Sequence, residues 1–383
     1  MIPYGRQDIT PEDVDAVAAV LRSDFLTQGP VVPRFEQAVA AACNAPHAVA
    51  VNSATSALHL ACLALGLGPG DWLWTTPITF VATANCARYC GAMVDFVDID
   101  AETFNLSPIA LGDRLVKARR DGRLPKAVVP VHLAGQPADM AAIAELGREF
   151  GFRVIEDASH AIGGRYQGVP IGAGTWSDIT VFSFHPVKII TTGEGGMALT
   201  RDAGLARRME RLRSHGITRD AADMTHAPDG PWYYQQVELG YNYRMTELQA
   251  ALGLSQLERL ETYVARRHTL AARYDRLLAG LPLTVPFQAP GGYSAFHLYI
   301  VRLDPGIDRL AAFNTLRAAG IGANLHYIPV HTQPYYRSLG FAEGDFPVAE
   351  DYYRRAITLP LHPGLTEAEQ DFVVETLAGA LHP

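Results

Sequence analysis

The stretch Ile179-Thr180-Val181-Phe182-Ser183-Phe184-His185-Pro186-Val187-Lys188 decides how this chain is read. Ile179 to Phe184 is apolar and β-branched, as a strand buried on both faces must be. A single lysine follows, flanked by Val187 and Ile189-Ile190, and Thr191-Thr192-Gly193-Glu194-Gly195-Gly196 then forms a glycine-rich turn. Upstream, Arg153-Val154-Ile155 reads as a second strand and ends in Glu156-Asp157. A carboxylate at one strand end and an amine beyond the next suit a held pyridoxal phosphate. The amine would form the Schiff base, and the carboxylate would keep the pyridine nitrogen protonated. Apolar neighbours desolvate Lys188 and favour its neutral, nucleophilic form. Taken singly, a snorkelling surface lysine and an N-cap aspartate account for the same residues.

Outward from this pair, strands alternate with helices. Strands are expected at Ala48 to Val51, Met93 to Ile99, Ala127 to His132, Arg153 to Asp157 and Ile179 to Phe184. Helices are expected at Ser56 to Leu67 and Met140 to Phe150, and Thr10-Pro11-Glu12-Asp13 opens an earlier one with a hydroxyl cap and proline at its first position. A further helix runs from about Pro33 to Cys43. The alternation predicts an α/β fold, a mostly parallel sheet with helices on both faces, whose ligands bind beyond the carboxyl ends of the strands. Asp157 and Ser183 fall there. After Met197 the chain turns helical and charged, and a long helix from Glu247 through Tyr263 leads out of a large domain, residues 1–264. Residues 265–383 read as a smaller α+β domain, with a strand at His297 to Leu303, a helix around Leu310 to Ala319 and a closing helix from Glu367.

Other candidates gather around the same ligand. Asn52-Ser53-Ala54-Thr55-Ser56 opens a buried helix with small hydroxyl residues, which suits either a phosphate or plain capping by Ser53 or Thr55. Phe80 is a platform for a flat ring or a core phenylalanine. His160 would sit beside the ring, and Gly240-Tyr241-Asn242-Tyr243-Arg244 offers an amide between two aromatics. His326-Tyr327-Ile328-Pro329-Val330-His331 would line a cleft, but it lacks the carboxylates a metal site usually needs. Cys86 and Cys90, four apart in an apolar helix-like stretch, read as buried thiols rather than a zinc pair, so no metal is expected.

A net charge of −8 with no basic run disfavours nucleic acid as a partner. No uncharged apolar run approaches roughly 18 residues, so no membrane span is expected. Four cysteines and a start without an apolar signal region fit a reduced, cytoplasmic setting.

With these residues assembled, the chain resembles the DegT/DnrJ/EryC1/StrS family of sugar aminotransferases along nearly its whole length. The resemblance is carried by Thr27-Gln28-Gly29-Pro30, Asn52-Ser53-Ala54-Thr55-Ser56-Ala57-Leu58 and Thr76-Pro77-Ile78-Thr79-Phe80-Val81-Ala82-Thr83. It continues in Glu156-Asp157-Ala158-Ser159-His160-Ala161, Phe182-Ser183-Phe184-His185 with Lys188, Gly240 to Arg244 and His326 to His331. It implies a fold type I pyridoxal-phosphate enzyme acting as a homodimer with shared active sites. Lys188 would then be the Schiff-base lysine, Asp157 the partner of the ring nitrogen, and Phe80 the stacking platform. Ala54, Thr55 and Ser183 would contact the phosphate, with Asn242 reaching in from the neighbouring subunit. Tyr4, Asp24, Phe25, Leu26, Thr27, Leu325, His326, Tyr327 and Ile328 would line the sugar side. Many members carry glutamine in place of His160. Some relatives replace the lysine with histidine and act as dehydrases, which Lys188 argues against. Within the family the chain looks most like enzymes that move an amino group from L-glutamate to C4 of a UDP-linked 4-keto-6-deoxy-N-acetylhexosamine, toward pseudaminic acid. Alternatives are another nucleotide-linked keto-sugar, a pyridoxal lyase, and a non-catalytic nucleotide-sugar binding protein.

Overall fold

Strands Ile179–Ser183 and Gly196–Thr200 are buried at every position, and they sit mid-sheet in the computed structural model, which describes residues 1–381. In chain order the central strands are His47–Val51 (β1), Trp72–Thr75 (β2), Met93–Phe96 (β3), Ala127–Val129 (β4), Arg153–Asp157 (β5), Ile179–Ser183 (β6) and Gly196–Thr200 (β7). Across the sheet they lie β1-β7-β6-β5-β4-β2-β3. All run parallel except β7, which is antiparallel to both β1 and β6. The α/β architecture read from the sequence is therefore the one observed.

Neither β2 nor β7 is visible in the sequence pattern. Trp72-Leu73-Trp74-Thr75 is too short to show a period. Strand β7 breaks the alternation with helices, because it returns directly from the lysine loop.

Helices cover both faces: Pro11–Leu21 (α1), Val31–Cys43 (α2), Ala54–Ala64 (α3), Ala82–Tyr89 (α4), Pro108–Asp121 (α5), Met140–Phe150 (α6), Ala203–Leu212 (α7), Glu247–Leu257 (α8) and Leu260–Leu277 (α9). Helix α3 is buried from Ser56 through Cys62, as expected of a helix apolar almost all round. Its start is fixed by Ser53, whose Oγ accepts the Ser56 N–H at 3.1 Å. Such a cap contributes about 1 kcal/mol. The helix expected from Glu247 onward is two helices, because Arg259 leaves helical geometry and its Nη2 reaches both Asp13 oxygens at 2.6 and 2.8 Å. At its other end, α8 places buried Glu247 on the first N–H groups of α2, with Val31 N at 2.6 Å and Val32 N at 3.2 Å. A carboxylate at a helix N-terminus is stabilising.

Helix α9 runs unbroken through position 264 and serves two cores. Leu260, Tyr263 and Val264 pack with the central sheet, whereas Leu270, Ala271 and Tyr274 pack with strands Tyr299–Leu303 and Ala356–Leu359 and helix Glu367–Leu381. Between them, buried Arg267 donates through Nη1 to the carbonyls of Phe296 at 3.1 Å, His297 at 3.1 Å and Leu361 at 3.0 Å. Burial lowers its pKa to about 10. The chain start belongs to this second body too, since Ile2 and Pro3 pair with Ile321 and Gly322.

Gly196 ties the sheet to the start of α3. A Cβ there would lie 2.4 Å from Ala54 N and 2.6 Å from Ser53 O, both backbone atoms that cannot yield without moving the helix start. Gly196→Ala is expected to destabilise the fold by about 1–3 kcal/mol. It should also weaken phosphate binding at Ala54-Thr55. Thermal unfolding and cofactor titration check this; an unchanged Tm with normal cofactor affinity would refute the packing argument.

Candidate active site

The carboxyl ends of β5 and β6 open into a cleft of about 890 Å³. Its wall includes Tyr4, Ser53, Ala54, Thr55, Phe80, Asp157, His160, Ser183, Lys188, Leu325, His326 and Tyr327. All of these were singled out from the sequence, and they come from segments up to 323 positions apart. Asp24, Phe25, Leu26, Thr27, Asn242 and Ile328 are exposed and lie outside the cleft lining of a single chain.

Lys188 sits in a loop closed at its base between β6 and β7. Phe184 N donates to Gly195 O at 2.9 Å, Thr192 N to Phe184 O at 3.0 Å, and buried Ile189 and Ile190 anchor the loop in the core. A turn from Lys188 N to His185 O, at 2.9 Å, sets its direction. The side chain keeps some exposed surface because it borders the cleft. Its amine is nonetheless desolvated enough to bring its pKa down to about 8, with the Asp157 charge opposing the shift.

Asp157, the last residue of β5, is 4% exposed. One oxygen accepts from Thr83 Oγ1 at 2.7 Å; the other accepts from Ser159 N at 3.1 Å and Ser159 Oγ at 2.6 Å. Thr79 Oγ1 lies 2.7 Å from Thr83 Oγ1 and extends the chain. Three donors are what an ionised carboxylate accepts. Sequence reasoning missed the roles of Thr79, Thr83 and Ser159. The four-residue spacing of Thr79 and Thr83, leading into the first turn of α4, was the available signal.

Three imidazoles surround the amine in uncharged form. His160 is held well below its usual pKa by burial and then by the Lys188 charge. Its Nδ1 accepts from Ala134 N at 3.2 Å, which puts the proton on Nε2 and directs it to the Tyr327 hydroxyl at 3.0 Å. His297 lies ring to ring with His160 at 4.5 Å and is shifted in the same direction by burial. Burial lowers His326 to about 3, and its Nδ1 meets Thr358 Oγ1 at 2.9 Å. Burial also raises the Tyr327 hydroxyl, so it stays protonated. Beneath the site, buried Glu156 stays below the usual carboxylate range. Burial works against this, but His132 Nε2 at 2.8 Å, together with Ser177 and Thr180, holds it there.

These residues fit pyridoxal phosphate. The first N–H groups of α3, at Ala54 and Thr55, have no partner within the helix and face the cleft beside Ser183, as a phosphate requires. The Cβ-free approach of Gly196 keeps them there. Phe80, at 59% exposed, lines the cleft with its ring centroid 6.3 Å from that of Tyr327.

Comparison with known proteins agrees. The profile of the DegT/DnrJ/EryC1/StrS aminotransferase family matches residues 7–378. The chain is 42% identical over 382 residues to the spore coat polysaccharide biosynthesis protein SpsC of Bacillus subtilis, covering 98% of this chain and 96% of that one. Its structure is similar to the PMP form of the sugar aminotransferase Spr1654 of Streptococcus pneumoniae, at TM-score 0.91, 32% identity and 99% of both chains. It is also similar to Helicobacter pylori PseC, described as an aminotransferase involved in the biosynthesis of pseudoaminic acid, at TM-score 0.90, 31% identity and 99% of both chains. The chain thus belongs to the DegT/DnrJ/EryC1/StrS family and is a pyridoxal-phosphate-dependent sugar aminotransferase.

Proposed function

We propose that the enzyme takes the amino group of L-glutamate and delivers it to C4 of a UDP-linked 4-keto-6-deoxy-N-acetylhexosamine, as in the pseudaminic acid pathway. The likeness to PseC over 99% of both chains carries this choice of sugar. The higher identity to SpsC favours, as a second reading, a different nucleotide-linked keto-sugar destined for a surface polysaccharide. A cleft of about 890 Å³ accommodates either, since it lies toward the upper end of the range that small-molecule sites span.

The cofactor, when bound, serves as the electron sink for the carbon that loses its proton. We assign Lys188 as the group that holds it covalently and then moves the proton, a task that suits an amine with a pKa of about 8. Asp157 is assigned to the ring nitrogen, Phe80 to the ring face, and His160 with Tyr327 to the opposite polar edge. Ser53, Ala54, Thr55 and Ser183 are assigned to the phosphate, and Tyr4 with Leu325 to Tyr327 to the sugar. Two domains, 1–264 and 265–383, form the walls in this reading, with the first strand, Ile2-Pro3, lent to the second and reduced cytoplasm as the setting.

We also propose a homodimer in which Asn242 and Asp24 to Thr27 complete the neighbouring site, with Ile328 at the same rim. Support comes from exposed Phe25, Leu26, Trp232 and Leu239, and from the Glu247 N–H to Leu26 O bond of 3.0 Å that sets the two segments side by side.

Four measurements test these assignments. Incubation with glutamate and a panel of nucleotide keto-sugars should release 2-oxoglutarate with the UDP-linked 4-keto acceptor; turnover with other acceptors alone would overturn the sugar assignment. Lys188→Ala should lose turnover by at least the ~10²–10⁴-fold that a positioned base supplies. Thr83→Val should lower kcat while cofactor stays bound, and an unchanged kcat would remove Thr83 from the site. Finally, because burial lowers the Lys188 pKa, the neutral amine prevails above about pH 8. The rate at which apoenzyme captures pyridoxal phosphate should therefore rise with a midpoint near 8. A midpoint near 10.5, the ordinary lysine value, would show that the amine is solvated.

A further inference from the structure

A second pocket, of about 380 Å³, shares no lining residue with the cofactor cleft. One wall is Arg6, Gln7, Asp8 and Ile9, which lead into α1; the other is His362 and Gly364, which follow strand Ala356–Leu359. The walls are joined where Leu361 N donates to Tyr4 O at 2.9 Å, one residue before His362 and two before Arg6. The pocket therefore adjoins the joint that holds Tyr4 at the rim of the cleft.

The groups left free in this pocket are donors. Arg6 is exposed and makes no ion pair or hydrogen bond among the described residues. The backbone N–H groups of Gln7, Asp8, Ile9 and Gly364 likewise donate to no protein acceptor among them. Acceptors nearby are already occupied. Asp8 O takes Gln256 Nε2 at 2.7 Å, and Asp8 Oδ2, on the only acidic residue of the lining, takes the Tyr263 hydroxyl at 2.9 Å. On the other wall, Pro363 O and Leu365 O accept from Arg266 Nε at 3.4 Å and Nη2 at 3.0 Å.

His362 is the enclosed member of the set. It is 5% exposed, and its Nε2 is buried without a nitrogen or oxygen partner. Buried polar atoms in folded proteins are nearly always hydrogen-bonded, and one that is not marks a place where a water or an ion belongs. Burial, followed by the Arg267 charge, brings its pKa down to about 4, so at neutral pH the ring is uncharged and keeps one N–H to donate.

We propose that this pocket binds a small oxyanion, a phosphate or a carboxylate group, paired by Arg6 and surrounded by the His362 ring and the free backbone amides, and that the bound anion fastens the Tyr4–Leu361 joint. An oxyanion offers acceptors only, which matches a lining whose free groups are donors. A cation would find no free acceptor opposite Arg6. The volume lies at the lower end of the range for small-molecule sites, which suits a compact anion rather than a nucleotide. The site does not depend on which keto-sugar the enzyme accepts.

The test uses holoenzyme saturated with cofactor, so that the cofactor's own phosphate position is filled. Calorimetric titration with inorganic phosphate and, separately, with succinate should show binding of at least one, and the one that binds names the class. Arg6→Gln, a surface change, should weaken that binding about tenfold or more by removing a charge-assisted bond. His362→Phe keeps a ring in the wall without its nitrogens; it should lose binding while Tm without anion is unchanged or higher. Added anion should slow hydrogen exchange in peptides spanning 356–365, read by mass spectrometry, in the unaltered enzyme but not in Arg6→Gln. Binding of neither anion, full affinity retained in Arg6→Gln, or exchange that the anion leaves unchanged would each overturn the proposal.

Discussion

An amine taken out of water loses its charge unless a carboxylate is near, and the active site rests on how far that contest is allowed to run. Burial brings Lys188 to about 8, and the Asp157 charge stops it falling further. A neutral fraction near physiological pH is what a nucleophile and proton carrier need. The surroundings protect this balance. His160, His297 and His326 are all kept uncharged, so no cation competes with the amine for Asp157. Thr83 and Ser159 hold the carboxylate in place without neutralising it.

The sheet supplies the spacing. Adjacent parallel strands β5 and β6 end side by side and deliver Asp157 and Ser183 to one rim. Strand β7 then turns back antiparallel, so residues 184–195, which carry the lysine, return beside β6 without crossing the sheet. Bonds from Phe184 to Gly195 and Thr192 close the base of that loop, and Lys188 stands at the cleft wall.

Much of this was legible in the sequence, for identifiable reasons. The apolar runs at Val154-Ile155 and Ile179 to Phe182 marked mid-sheet strands, and the polar residue closing each marked a strand end. The small-hydroxyl run at Ser53 to Ser56 announced a helix start, because capping chemistry is local. What stayed hidden depends on distant partners. Nothing near Thr83 reveals Asp157, and nothing near Arg259 reveals that Asp13 will break a helix there. His160 and Tyr327 were each singled out, but the bond that makes them one unit spans the two walls of the cleft.

Arg267 gives those two walls a common anchorage. Its guanidinium, shut away from water and without a carboxylate, is gripped by carbonyls from two strand approaches. One of them leads to Phe296 and His297, behind His160; the other leads to Leu361, whose N–H bonds Tyr4 O at 2.9 Å. Both flanks of the cleft, the His160–His297 side and the Tyr4 side, thus hang from a single turn of α9, and loss of that one side chain would unfasten them together.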